Sequence, residues 1–526
     1  MEIARIGGGE TRRFDVATVG AKAANLARMA ALGLPVPPAF VLPISLCAAI
    51  AKGEGHARDL AHDLAEGITF LEKVTGRAFG DTRRPLLVSV RSGAARSMPG
   101  MLDTVLNVGC TAAAVHGLVR MSGNPRFAWD CRRRFLESYG EVVLGIDKAL
   151  FAARRAALKA AGSELDNEEL ERLSFDFQQV IEDEDEKLPD NTTEQLETAA
   201  LAVYRSWESE RARTYRRLQH LEDLEGTAVT VQAMVFGNRC RNSGAGVAFS
   251  RDPSTGAVRP VIDVLFEAQG EDVVSGNRTP ETEEAIERRT PQAAAKLRET
   301  LRRLEKEFAD VQDVEFTIEE GKLWLLQTRS AKRTPLAALK FAIDLVKEGL
   351  MPPPRALQLL NGLDIKGLAH RRLAGADDPI ARGNGASVGV AVGRVAFDSD
   401  SAQRLAGRGE DVILVRPDTS TADVAGFAAS AGIVTGAGGR TAHAALVARQ
   451  MGKPCIVGCA SLVFDPARHN VRLADAAIEQ GDWLSIDGEA GTIYRGRRDV
   501  VVERPEAEIA EVERWKVQSG AFSLSH

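Results

Sequence analysis

Gly438-Gly439-Arg440-Thr441-Ala442-His443-Ala444-Ala445-Leu446-Val447-Ala448-Arg449-Gln450-Met451-Gly452-Lys453-Pro454 is the stretch on which the reading of this chain turns. The apolar run Gly432 to Thr435 before it has the composition of a short strand, and the glycines then turn the chain into an Ala/Leu-rich helix. His443 falls in the first turn of that helix. Backbone N–H groups without helical partners, and the positive end of the helix dipole, favour a dianionic phosphoryl group there. A neutral imidazole is also a competent nucleophile near neutral pH. The combination points to a histidine that is phosphorylated and hands the group on. Two blander readings compete with it: a structural histidine at a helix start, and a dinucleotide turn at Gly436-Ala437-Gly438. The second lacks its third glycine and the acidic residue about 20 positions on that ribose binding asks for.

A chain of 526 residues exceeds one hydrophobic core, and roughly two to four domains are expected. Its 44% hydrophobic and 27% charged residues are those of an ordinary soluble protein. The net charge of −6 argues against nucleic acid as the main partner. The segment Met1 to Phe14 is charged and has no apolar core of a secretory signal. No apolar run reaches the roughly 18 residues of a membrane span. Of six cysteines only Cys455 and Cys459 lie close together, at a spacing that fits neither zinc nor a disulfide framework; both read as small apolar side chains. A cytoplasmic location is the expectation.

The patterns predict an α+β and α/β multidomain chain. Residues 1–334 form the first domain. It opens with a helix carrying Leu26, Met29 and Ala30 on one face and ending at Gly33, then a strand at Ala39 to Leu42. A buried strand, Leu86 to Val90, leads into Arg91-Ser92-Gly93. A charged, helical insertion spans about 124–221, with Glu182 to Glu186 a solvated acidic run. Strands return at Ala228 to Phe236, Gly246 to Ser250 and Val261 to Phe266. A helical connector at 335–380, interrupted by Pro352-Pro353-Pro354, leads to a compact α/β domain at 381–505. Glu506 to Trp515 reads as a helix within a tail at 506–526, with Pro505 before it.

Residues 311 to 329 look like a hairpin with chemistry on one face. Val311 to Ile318 presents Asp313, Glu315 and Thr317 on one side and Val314, Phe316 and Ile318 on the other. A three-residue loop, Glu319-Glu320-Gly321, would set Asp313 opposite Gln327 and add Trp324 and Leu326 to the apolar face. Two acids, an amide and the Arg329 guanidinium on one sheet face can hold Mg²⁺ and polyphosphate. An amphipathic, solvent-facing hairpin is the competing reading.

Gly-Gly-x-Thr-x-His-Ala-Ala-x-Val-Ala-Arg-x-Met-Gly-Lys-Pro-Cys at 438–455 resembles the phosphohistidine motif of pyruvate, phosphate dikinase and its relatives, departing from it at Arg440 for Met and Ala442 for Ser. Gln312-Asp313-Val314-Glu315-Phe316-Thr317-Ile318 and Leu326-Gln327-Thr328-Arg329 resemble the metal and phosphate strands of its ATP-grasp domain. Lys22 in its Gly-x-Lys turn and Arg91 in Val-Arg-Ser-Gly-Ala match as well, and the likeness runs from about residue 15 to 495. It implies an ATP-grasp domain with a helical insertion, followed by a swivelling phosphohistidine domain. It implies that Lys22, Arg91, Gln327 and Arg329 contact ATP, that Asp313 and Glu315 bind Mg²⁺, and that phosphate is a co-substrate. In the family pattern the β-phosphoryl stays on the histidine after AMP and pyrophosphate leave. Thr441 sits where related dikinases are switched off by phosphorylation; an ordinary N-cap threonine is the alternative. The family's Lys-Gly-x is Lys22-Ala23-Ala24 here, and Ala95-Arg96 reverses its common order, so Arg96 receives no role.

The family's third unit is a (β/α)₈ barrel for phosphoenolpyruvate or pyruvate, which needs about 250 residues where about 20 to 25 follow the last strand-like segment. The expectation is therefore an acceptor site outside this chain, on a separate barrel subunit or for a different small molecule. A nucleotide-binding scaffold or regulatory paralogue without turnover is the runner-up. The 335–375 segment is too short for the antibiotic-binding domain that rifampicin phosphotransferases insert between similar end modules.

Overall fold

The computed structural model describes residues 3–51, 57–96, 98, 101–158, 165–275, 278–375, 378–418, 423–440, 442–465 and 470–523. They form two compact units: Met1–Arg241 with Trp324–Thr328, and Asn242–Leu323 with Arg329–His526. The dividing line runs inside residues 1–334. Among the described residues no helix is long and apolar enough to cross a membrane.

The first unit is built on a five-stranded sheet in the order Ala4–Ile6, Ala39–Leu42, Thr227–Ala233, Val88–Ala94, Thr104–Val108, with every neighbouring pair antiparallel. Phe40, Leu42, Val88, Val90, Val229 and Val231 from its strands enter one core with Phe127, Phe135 and Tyr139 of the insertion. Helix Val16–Ala31 buries Leu26 and Met29 as expected, but Ala23 and Ala27 complete its inner face where Ala30 was expected. Gly20 breaks the helix at φ 79°, ψ 161°, and a methyl group there would overlap the Gly93 carbonyl oxygen. Only glycine permits so close an approach.

The insertion is helical, as its pattern predicts. Asn124 caps helix Pro125–Val142 by accepting from Phe127 N at 3.2 Å, with Pro125 in the first turn. Asp166 and Glu169 form a reciprocal capping box on helix Asn167–Asp183. Glu182 to Glu186 are exposed. Asp130 is a buried carboxylate of the insertion, paired with Arg133 at 2.5 Å and Arg134 at 2.9 Å and accepting from Asn238 Nδ2 at 2.6 Å.

A four-stranded sheet runs in the order Lys322–Ser330, Gln312–Glu319, Gly244–Phe249, Val261–Phe266; the last three strands belong to the second unit and the first is divided between the units. Val314, Phe316 and Ile318 are buried, and Gly246 stands opposite Phe316, where any side chain would overlap the ring. Helix Pro291–Phe308 packs on the Gln312–Glu319 strand, burying Ala294, Leu297, Leu301 and Leu304 at helical spacing. The hairpin turns on two residues rather than three: Glu320 and Gly321 both have positive φ, 51° and 80°, as in a type I′ turn. The shorter loop shifts the pairing. That change moves the register by one residue at the turn; at the far end of the hairpin Ala331 N–H donates to Val311 O at 2.8 Å, and the Arg329 side chain reaches Asp313. On this strand Leu323 and Leu325 are the buried apolar residues, while Trp324 and Leu326 are only partly covered.

Residues 381–505 carry an eight-stranded sheet whose centre, Val390–Ala396, Val412–Arg416, Gly432–Thr435 and Cys455–Val457, is parallel. Helix His443–Gln450 is the crossover between the last two of these strands, and the loop 436–442 leads to it from the carboxyl end of Gly432–Thr435. Cys455 and Cys459 are buried free thiols. In the 335–380 connector, Pro353 starts helix Pro353–Leu359, and a strand that the pattern did not reveal, His370–Leu373, pairs with Val500–Glu503. The tail helix reaches from Glu506 to Ser523, beyond the expected end, and buries Ile509, Val512 and Trp515 with Leu339, Ile343 and Ala356 of the connector.

Asp130 gives a measurable check on the insertion. Burial opposes its charge, but the Arg133 and Arg134 guanidiniums hold the carboxyl well below the usual carboxylate range. Its contribution is therefore full above the unfolded-state value near 4 and is lost as pH falls toward the folded value. Asp130→Ala is expected to cost about 3–5 kcal/mol in denaturant unfolding at pH 7. The difference from wild type should shrink as pH drops below about 4.

Candidate active site

The expected site residues fall into two groups, one in each unit. In the first, Lys22 lies two residues after the Gly20 break, and the Gly20–Gly93 approach brings its turn against the strand that carries Arg91. Arg91 is half-buried and stands opposite Thr104 on one side and Thr230 on the other. Gln327 is buried at 6% exposure. Its strand is held beside it, where Asn25 Nδ2 donates to Thr328 O at 3.0 Å and Leu325 N–H donates to Pro35 O at 2.8 Å.

In the second unit, Asp313, Glu315 and Arg329 meet on one sheet face. Arg329 Nε donates to Asp313 Oδ2 at 2.8 Å and lies 3.9 Å from a Glu315 oxygen. Asp313 is 2% exposed, and burial pushes its carboxyl above the ordinary range despite the Arg329 guanidinium. Burial likewise opposes the charge on Arg329, yet Asp313 and Glu315 raise its pKa above the usual arginine value. Asp313 Oδ1 is buried with no hydrogen-bond partner. A buried carboxylate oxygen without a donor, beside a second carboxylate, has the chemistry of a hard-cation ligand. The pair fits Mg²⁺. Lys332, which the sequence reading passed over, lies near the cluster, and burial and Arg329 lower its pKa.

The same sheet face receives the histidine segment. Glu315 stands opposite Val247, and Val247 opposite Asp263; Asp313 stands opposite Phe249. Opposed residues share a face. A Cβ at Gly439 would stand 2.6 Å from Asp263 Oδ2, and the Arg449 guanidinium lies 5.1 Å from the centre of the Phe249 ring. Helix His443–Gln450 begins at His443, with Ala442 in extended backbone as its N-cap and no side-chain cap. The helix-start expectation holds. Thr441 lies outside the described residues. Arg449 and Asp263 were given no role from sequence. The available signal was an arginine at helical spacing from Ala445, on a face where Ala445, Ala448 and Arg449 are all buried.

Residues 56–295 and 282–348 match the family model described as pyruvate phosphate dikinase, AMP/ATP-binding domain, and residues 408–491 match the PEP-utilising enzyme, mobile domain. Pyruvate, phosphate dikinase 2 of Zea mays is 43% identical over 491 residues, covering 91% of this chain and 56% of the relative. The pyruvate, phosphate dikinase of Rhizobium meliloti is 42% identical over 525 residues, 94% of this chain and 58% of the relative. That of Clostridium symbiosum is 41% identical over 517 residues, 96% of this chain and 59% of the relative. The chain thus spans somewhat more than half the length of the curated relatives it matches. The first family model alone extends over more than half of the chain, which belongs to the pyruvate phosphate dikinase family.

Proposed function

We propose that the chain performs the ATP-consuming half of a dikinase reaction, with His443 as the phosphoryl carrier. An imidazole nitrogen of His443 attacks the β-phosphorus of ATP, and AMP leaves with the electrons of the broken P–O bond. The γ-phosphoryl passes to inorganic phosphate as pyrophosphate, and the β-phosphoryl stays on the histidine for transfer to an acceptor. Lys22, Arg91, Gln327 and Arg329 contact the nucleotide in this reading, and Asp313 with Glu315 holds Mg²⁺. Phosphoryl transfer gains most from cations placed on the phosphate oxygens, and bound Mg²⁺ supplies that charge. The observation that carries the reading is one sheet face bearing Asp313, Glu315 and Arg329, with Gly439 and Arg449 of the histidine segment against it.

The domain limits we propose are 1–334 for nucleotide binding, 335–380 for the connector and 381–505 for the carrier. We place the acceptor site outside the residues of this sequence. In the maize, Rhizobium and Clostridium relatives the matched stretch is part of one longer chain, which gives no support to a separately encoded barrel subunit.

Three outcomes test the proposal. Mg²⁺-ATP labelled at the β-position should leave an acid-labile, base-stable label on the protein, absent from His443→Ala; a label that persists in that variant assigns the carrier elsewhere, and no label at all leaves a nucleotide-binding scaffold. Glu315→Ala should lower the labelling rate by about 10²–10³ with a melting temperature near wild type, whereas Phe316→Ala should cost about 3–5 kcal/mol of stability through its core cavity. In a coupled assay this polypeptide by itself should show no robust pyruvate-dependent formation of AMP; such formation would put the acceptor site within these residues.

A further inference from the structure

Arg449 is a charged side chain that the proposed chemistry does not use, and it is 1% exposed. Its Nε donates to Ala445 O at 3.1 Å in its own helix, and its Nη2 donates to the Arg440 carbonyl, tying the helix to the loop before His443. Its Nη1 is buried without a hydrogen-bond partner. The guanidinium lies over Phe249, which stands opposite Asp313 and shares its face of the sheet. Asp313 Oδ1 is buried and unpartnered on that same face. An unsatisfied donor and an unsatisfied acceptor therefore share one dry surface, where each is costly alone. Burial pulls the Arg449 pKa down to about 10, opposed chiefly by Asp313 and then Asp263, so the group is a cation at neutral pH.

We propose that Arg449 is a positioning residue that holds the histidine helix on the carboxylate face as the resident counter-cation of Asp313, and that a divalent cation on Asp313 and Glu315 opposes it and loosens the helix. The inference rests on the reading of those two carboxylates as the metal site. Without metal, Asp313, Glu315 and Arg329 carry a summed charge of about −1, which attracts a guanidinium; a dication reverses the sign, and little water intervenes to screen the result. Linkage makes the effect mutual: if metal weakens the hold on Arg449, Arg449 in place must weaken the binding of metal by the same factor. Helix docking and metal loading are thereby coupled through one side chain.

The test uses Mn²⁺ alone as probe, with free metal counted by electron paramagnetic resonance on the full chain. Arg449→Met should bind Mn²⁺ about tenfold more tightly than wild type, and Arg449→Lys, which keeps the charge, should stay near wild type. Asp313→Asn should lose most of the binding. Hydrogen exchange gives a readout that needs no variant: amides of the His443–Gln450 helix in the wild type should exchange faster once Mn²⁺ is added. Tight binding unchanged in Arg449→Met, with Asp313→Asn defective, overturns the coupling while leaving the metal site standing. Binding unchanged in Asp313→Asn overturns the metal site and the inference with it. Should Arg449→Met fail to fold, helix exchange in the wild type that ignores Mn²⁺ overturns the coupling by itself.

Discussion

Everything in the second unit depends on the two-residue period of the Gln312–Glu319 strand. A strand sends alternate side chains to opposite faces, so one sequence must satisfy a dry side and a reactive side together. Val314, Phe316 and Ile318 secure the dry side. Their neighbours Asp313 and Glu315 are thereby fixed to the other face, with Arg329 brought in from the next strand. Because those carboxylates project from a packed sheet rather than a loop, the arrangement costs little entropy to maintain when a ligand arrives. The same geometry brings a penalty: Asp313 is held in a place too dry for a carboxylate on its own.

Arg251 secures the base of this sheet. It follows the Gly244–Phe249 strand, is almost fully buried, and grips both oxygens of Glu305 on helix Pro291–Phe308 at 2.9 and 2.8 Å. It also binds Glu348, at the end of helix Pro335–Lys347, at 2.9 and 2.6 Å. Strand, covering helix and the first half of the connector are thus tied through one guanidinium whose fork matches two carboxylates. Any reorientation of residues 381–505 has to begin beyond Glu348, since the chain before it is bound to the sheet.

Much of this was legible in the sequence because periodicity and capping act locally. The helix start at His443, the amphipathic Gln312–Glu319 strand and the short Val/Ile strands of residues 381–505 all follow from side-chain spacing. Pairing register did not. Counting Glu319 into the turn made the loop one residue too long, because an αL conformation at Glu320 is not written in a non-glycine residue. Arg449 escaped for a different reason. An arginine on a helix reads as solvated until a neighbouring surface, distant in sequence, is known to cover it. The His370–Leu373 strand, half exposed and rich in charge, carries no strand signature of its own and exists because Val500–Glu503 offers it a partner.

That pairing has a consequence for how the eight-stranded sheet is attached. His370 stands opposite Glu503 and Leu373 opposite Val500, and Ala374 N–H donates to Asp499 O at 2.8 Å. All of the eight-stranded sheet, and His443 with it, lies between Ala374 and Asp499. The chain therefore enters and leaves this body through one ribbon whose strands are about 5 Å apart. Beneath the ribbon lies a cavity of about 770 Å³, lined in part by Leu368, Arg371, Val390, Val392, Val500 and Val502. Hydrogen bonds across a two-stranded ribbon resist sliding of one strand past the other, while bending across its flat side leaves them intact. In topological terms it is a cassette: its two ends already meet, at Ala374 and Asp499.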